Sequence, residues 1–150
     1  MKVAIVAYSF GGTPDRPGPS NAALGKVVDR IAAREKDILV IVQDFLKSCI
    51  GRKADLVVGD VYTFVNTEGI TDLAAAFLKE RDIRKVLLVA HPFLHWVKCK
   101  RLLEAHGFEV ERARTGYVPF DPACHNWWVR SPLHLISYAF LQKTMGRSGR

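Results

Sequence analysis

No apolar run in this 150-residue chain approaches the roughly 20 residues needed to cross a bilayer, so a membrane-spanning protein is not expected. The chain opens directly into a strand-like segment, without the charged n-region, apolar h-region and small-residue cleavage site of a secretory signal. A cytoplasmic location is therefore expected. Cysteine is scarce. Cys49, Cys99 and Cys124 are an odd number with no CxxC pairing, which argues against a disulfide framework or a zinc ribbon and agrees with a reducing compartment. There is no internal repeat and no low-complexity segment. The Gly-Lys-Ser/Thr ending of a Walker loop and the GxGxxG of dinucleotide binders are missing too, so neither fingerprint assigns a nucleotide site.

What is there is ordinary in amount and unusual in charge. Nearly half of the residues are apolar and a quarter charged, as in a globular protein, and the length suits one domain with a real core. The net charge of +7 allows nucleic acid, anionic lipid or phosphorylated small molecules as partners. Apart from the tail, with Lys143, Arg147 and Arg150, the bases are scattered, which is the pattern of a solvated surface.

The most informative stretch runs from residue 84 to 107. Val86, Leu87, Leu88, Val89 and Ala90 form the unbroken apolar run of a parallel strand covered on both faces. Pro92 suits the first turn of a helix, where its missing N–H costs nothing, and Phe93, Leu94, Val97, Arg101, Leu102 and Ala105 recur at helical spacing. His106 falls in the last turn, and Gly107 stops the helix. His91 and His95 then stand at the carboxyl edge of the sheet, where ligands of open parallel sheets bind. Two readings stay open: both histidines face a ligand, or His91 caps the turn while His95 and Trp96 pack on a neighbouring loop.

Further strands are expected at residues 2–8, 37–42 and 55–65, the last with an irregular extension beyond Gly59, and a half-exposed edge strand at 108–113. Helices are expected from a Ser20 cap to about Lys36, briefly at 45–50, at 70–83 with an apolar face of Ile70, Leu73, Ala76 and Phe77, and from Pro132 onward. The last would bury Leu135, Ile136, Ala139, Phe140 and Met145. Alternating strands and helices imply right-handed crossovers and a single Rossmann-like α/β domain, a doubly wound, mostly parallel sheet of about five strands with helices on both faces. In a 3-2-1-4-5 order the loops after the first and fourth strands face each other at the switch point. The first is Ser9-Phe10-Gly11-Gly12-Thr13-Pro14-Asp15, whose glycines can expose backbone N–H groups to an anion; the second carries the histidines, and the turn Asn66-Thr67-Glu68 arrives beside them.

At these residues the chain resembles the DUF218 family, also called YdcF-like or SanA-like. The strand, glycine-bearing loop and helix of VAIVAYSFGGTPDRPGPSNAALGKVVDRIAA look like that family's opening. Asn66-Thr67 is similar to its Asn-Thr pair at a helix start, and VLLVAHPFLHWVKCKRLL resembles its strand with a His-bearing turn and a following basic residue. Where the family often has Ser-Gly-Gly after the second strand, this chain has Gln43-Asp44-Phe45. The resemblance implies a Rossmann-like small-molecule-binding fold with no settled reaction or cofactor. It also implies Gly11, Gly12, Thr67, His95 and Lys98 as ligand-site residues.

The leading expectation is thus a site for a small anionic or nucleotide-like ligand built from Ser9, Gly11, Gly12, Thr13, Asn66, Thr67, Glu68, His91, His95 and Lys98, with His91 and His95 as candidates for any catalysis. An alternative is a metal-dependent hydrolase using His91 and His95 with Asp121, Cys124 or His125, because His-x3-His can place two ligands on one helix face; Pro92, however, occupies the place of a zincin's glutamate. The other alternative is a nucleic-acid or protein interaction module built on Trp127-Trp128. Arg130 alone accompanies that pair, and such tryptophans also lid cores or line pockets.

Overall fold

The computed structural model describes residues 2–60 and 65–148. Five parallel strands, β1 (Val3–Ala7), β2 (Leu39–Gln43), β3 (Leu56–Val58), β4 (Lys85–Val89) and β5 (Glu109–Arg112), lie in the order β3-β2-β1-β4-β5. The protein therefore has the Rossmann-like α/β fold. β1 sits at the centre, in register with β2 from Ala4 opposite Leu39 to Ala7 opposite Val42, and with β4 from Val3 opposite Lys85 to Ala7 opposite Val89. Side chains alternate across a strand, so each face of β1 feeds its own core. Ile5 and Ala7 join Leu24, Val27 and Val28 of helix α1 (Gly18–Arg34) on one face. On the other, Ala4, Val6 and Tyr8 meet helix α2 (Thr67–Lys79) through Ile70, Ala74 and Leu78, and helix α3 (His95–Ala105) through Cys99 and Leu103. The edge strand β5 is largely exposed, as its alternating charges require.

Several boundaries differ from the sequence expectation for local reasons. α1 begins at Gly18, and Ser20 lies inside it, where its hydroxyl donates to the Pro119 carbonyl instead of capping. The expected strand at 55–65 stops at Val58, before Gly59 with its φ of 90°, and residues 61–64 lie outside the described residues. The short helix expected at 45–50 is a 3₁₀ helix, Asp44–Cys49. α2 buries Ile70, Thr71, Ala74, Ala75 and Leu78, while Leu73 is 54% exposed. Phe77 is half-buried beneath the Arg81 guanidinium, and the face expected from Leu73 and Ala76 is wrong by about one residue. α3 starts at His95, not Pro92, because residues 92–94 form a tight turn closed by the His95 N–H on the Phe93 carbonyl at 2.7 Å, with Leu94 at φ 61°.

The C-terminal helix α4 (Pro132–Ser148) departs most. Leu135 is buried, but Leu133, Phe140 and Met145 are 77%, 68% and 71% exposed, and Ile136 is exposed as well. Apolar residues surround this helix on two sides, so periodicity could not tell which side the domain covers.

Candidate functional site

The carboxyl ends of β1, β2 and β4 open into a crevice of about 700 Å³. The loops after β1 and β4 meet there as the switch-point geometry requires, joined at their root by the Tyr8 N–H on the Val89 carbonyl at 2.9 Å. Ser9, Gly11, Gly12 and Thr13 line one wall; Asn66, Thr67, Glu68, His95 and Lys98 line another. His91 does not line it.

The glycine loop contributes shape more than donors. Its Ser9 N–H goes to Gln43 Oε1 at 3.0 Å, its Phe10 N–H to Asn21 Oδ1 at 2.8 Å, and its Thr13 N–H to the Arg16 carbonyl at 2.7 Å. The Gly12 N–H is bound at 3.0 Å by Oδ2 of Asp121, whose Oδ1 accepts from Arg16 Nη2, also at 3.0 Å. Asp121 is buried, so this carboxylate is a fixed part of the loop. The expectation that Gly12 offers its amide to a ligand anion is therefore corrected: that amide is held by a carboxylate of the chain, against which Gly11 also packs closely. Gly12 has φ 88°, and a Cβ on it would stand 2.6 Å from the Pro17 carbonyl oxygen, which excludes any larger residue without movement.

His91 follows the bland alternative. It is 1% exposed, stacks on Phe10 with ring centroids 4.1 Å apart, and packs against Phe120 at 4.6 Å. Its Nδ1 accepts the Phe93 N–H at 3.2 Å, so the proton lies on Nε2, which donates to the Pro119 carbonyl at 3.3 Å. Burial pushes its pKa down to about 4. His91 is a neutral tie between the β4 turn and residues 119–120, and, contrary to the sequence expectation, it does not face the crevice as a ligand or catalytic group.

His95 differs. It lines the crevice, and its ring packs beside Phe10 and Tyr8. Nε2 lies 3.6 Å from Cys99 Sγ, and Nδ1 is covered without any hydrogen-bond partner. Burial, reinforced by His91 and Lys98, pushes its pKa down to about 3, so the ring is neutral and does not titrate near neutral pH as a half-exposed histidine would. Cys99 is fully buried, and burial raises its thiol pKa far above the ordinary value, which makes it a packing residue.

Beside His95, Lys98 Nζ meets Glu68 Oε1 at 3.0 Å. Partial burial works against the charge of Glu68, but the Lys98 ammonium and a backbone N–H outweigh it and hold the carboxyl below its ordinary pKa. Glu68 sits in the first turn of α2, which Asn66 caps by accepting the Gly69 N–H at 2.8 Å. Thr71 donates to the Thr67 carbonyl, so the 2.7 Å bond between Thr71 and Tyr8 has the tyrosine as donor. That bond ties the end of β1 to the start of α2 and fixes where Thr67 and Glu68 stand.

Sequence reasoning missed two further parts of the crevice. Gln43, Asp44 and Asp60 stand at the carboxyl ends of β2 and β3, and burial followed by the nearby Asp60 charge raises the pKa of Asp44. The strand-end rule would have found Gln43 and Asp44. The opposite wall is C-terminal, with Trp128 stacked on Tyr138 at 4.5 Å and Gln142 beyond. Trp127 packs edge-on against both rings, and Arg130 Nε donates to the Cys124 carbonyl, so of the tryptophan pair Trp128 lines the crevice and Trp127 backs it. Among the described residues no three His, Cys, Asp or Glu gather as a metal-binding group, and both nitrogens of His91 are occupied. Compared with known protein families and with curated proteins, the chain matches none.

Proposed function

We propose that the chain is a small-molecule-binding domain of DUF218 type whose crevice takes a small anionic or nucleotide-like ligand. The observation that carries this reading is the crevice itself: about 700 Å³ at the switch point of a parallel sheet, a volume suited to a ligand of nucleotide size. An anionic group would sit at the α2 and α3 wall, where Lys98 and the first turn of α2 offer positive potential. A ring would lie along Trp128 and Tyr138, and ligand hydroxyls would meet Asp44, Gln43 and Asn126. His95, one of the lining residues, also keeps a buried ring nitrogen without a hydrogen-bond partner.

A thermal-shift panel of phosphates, mononucleotides and adenosyl compounds tests this reading. A ligand present at 100 times its Kd adds about 2.7 kcal/mol to stability. At least one compound is expected to raise the melting temperature, and a panel without any shift counts decisively against the reading.

A further inference from the structure

Lys98 is the one Lys or Arg among the described residues lining the crevice, and Glu68 already holds it. The same carboxylate belongs to the first turn of α2, where its own backbone N–H favours its charged form. Glu68 thus occupies both features that would attract a ligand anion. The other internal carboxylate of this kind, Asp121, is buried under the glycine loop and cannot leave. Glu68 can: its side chain is 47% exposed, that of Lys98 is 35% exposed, and a solvent-accessible pair of this kind is held weakly. Asp44 and Asp60 add further negative charge to the same crevice.

We infer that Glu68 is an internal competitor for the anion subsite, a built-in carboxylate that a ligand's phosphate or carboxylate group displaces from Lys98 on binding. This rests on the anionic-ligand reading above and makes Glu68 the residue that sets affinity for charge. A neutral ligand would leave the pair closed. An anionic one would exchange one carboxylate partner of Lys98 for another, gaining only the difference between them.

Calorimetric titration of inorganic phosphate, adenosine monophosphate and adenosine tests it in three proteins: wild type, Glu68→Gln and the double variant Glu68→Gln/Lys98→Met. Glutamine keeps the shape and an acceptor for the backbone N–H while removing the charge. The expected result is that Glu68→Gln tightens binding of the two phosphates by about three- to tenfold, with no change for adenosine, and that the gain vanishes in the double variant. Melting curves of the three proteins check that the fold is retained. Equal or weaker phosphate binding by Glu68→Gln, or a gain that survives loss of Lys98, overturns the inference while leaving the binding reading in place. If neither phosphate compound binds any of the three proteins, the anion subsite itself falls, and this inference with it.

Discussion

Two walls of one crevice use the same chemistry to opposite ends. In the loop after β1, four polar demands are met inside the chain: Ser9, Phe10, Gly12 and Thr13 each place their N–H on an internal acceptor, and Asp121 and Arg16 close the loop with an ion pair. Across the crevice, the wall from α2 and α3 keeps a buried ring nitrogen without a partner and a half-exposed ion pair. A saturated network resists change because each member that moves leaves another unpaired, whereas an unsatisfied atom is an invitation to a ligand. The difference separates the part of the site that sets its shape from the part that responds to what enters.

The largest test of that division is pH. His91 belongs with the locked wall, and its folded pKa of about 4 lies below the ordinary 6.5. Between those values the unfolded chain takes up the proton and the folded one does not, so stability is fully present above about pH 6.5 and is lost as the pH falls toward 4. The loss attributable to His91 is about 3 kcal/mol. Urea denaturation at pH 7 and pH 4.5 should show it, and His91→Phe, which keeps a ring but cannot titrate, should reduce the slope to the part that His95, also held neutral by burial, contributes. An unchanged slope in that variant would mean that His91 is not held neutral by the fold.

Next comes the lock itself. In Asp121→Asn one carboxylate oxygen becomes an NH₂ group facing either the Gly12 N–H or Arg16, donor against donor, for a cost of about 2 kcal/mol. A chemical-denaturation midpoint equal to that of the parent would show the carboxylate to be dispensable. The smallest stability effect is expected on the open wall: His95→Ala should change stability by about 1 kcal/mol or less, because the ring leaves a polar atom unpaired. It should nevertheless weaken the best-binding compound of the panel about tenfold, or roughly 1.4 kcal/mol. Should His95→Ala unfold the protein more readily than Asp121→Asn, the division of the two walls is wrong.

Strand positions and their order were legible because the apolar runs at Val86–Ala90 and residues 2–8 admit few other fates in a chain with helices between them. The same rule of strand ends brought Thr67, Glu68 and His95 to one crevice, and Lys98, which also lines it, came from the family resemblance alone. What could not be read was where hydrogen bonds end. The Gly11-Gly12 pair looks identical in sequence whether its amides face a ligand or Asp121, since that carboxylate lies more than a hundred residues away. His91 and His95 differ in role because a tight turn at Pro92 to Leu94 delays the helix and turns one ring inward, and propensity does not resolve a shift of three residues. The aromatic wall depended on which side of α4 the domain covers, which its two-sided apolar pattern left open.

The central position of β1 has a consequence for how the protein is made. β1 leaves the ribosome before the other strands of its sheet and finds β2 soon after, but its other neighbour, β4, follows about eighty residues later. At the usual pace of translation that is a wait of roughly 4–16 s, during which the middle of the future sheet is an unpaired apolar edge. Asp121, which clips the loop after β1, arrives later still. The strand at the centre of the finished molecule is thus the one that nascent-chain chaperones have longest to meet, and slowing synthesis before β4 should lower the yield of folded protein more than slowing it after.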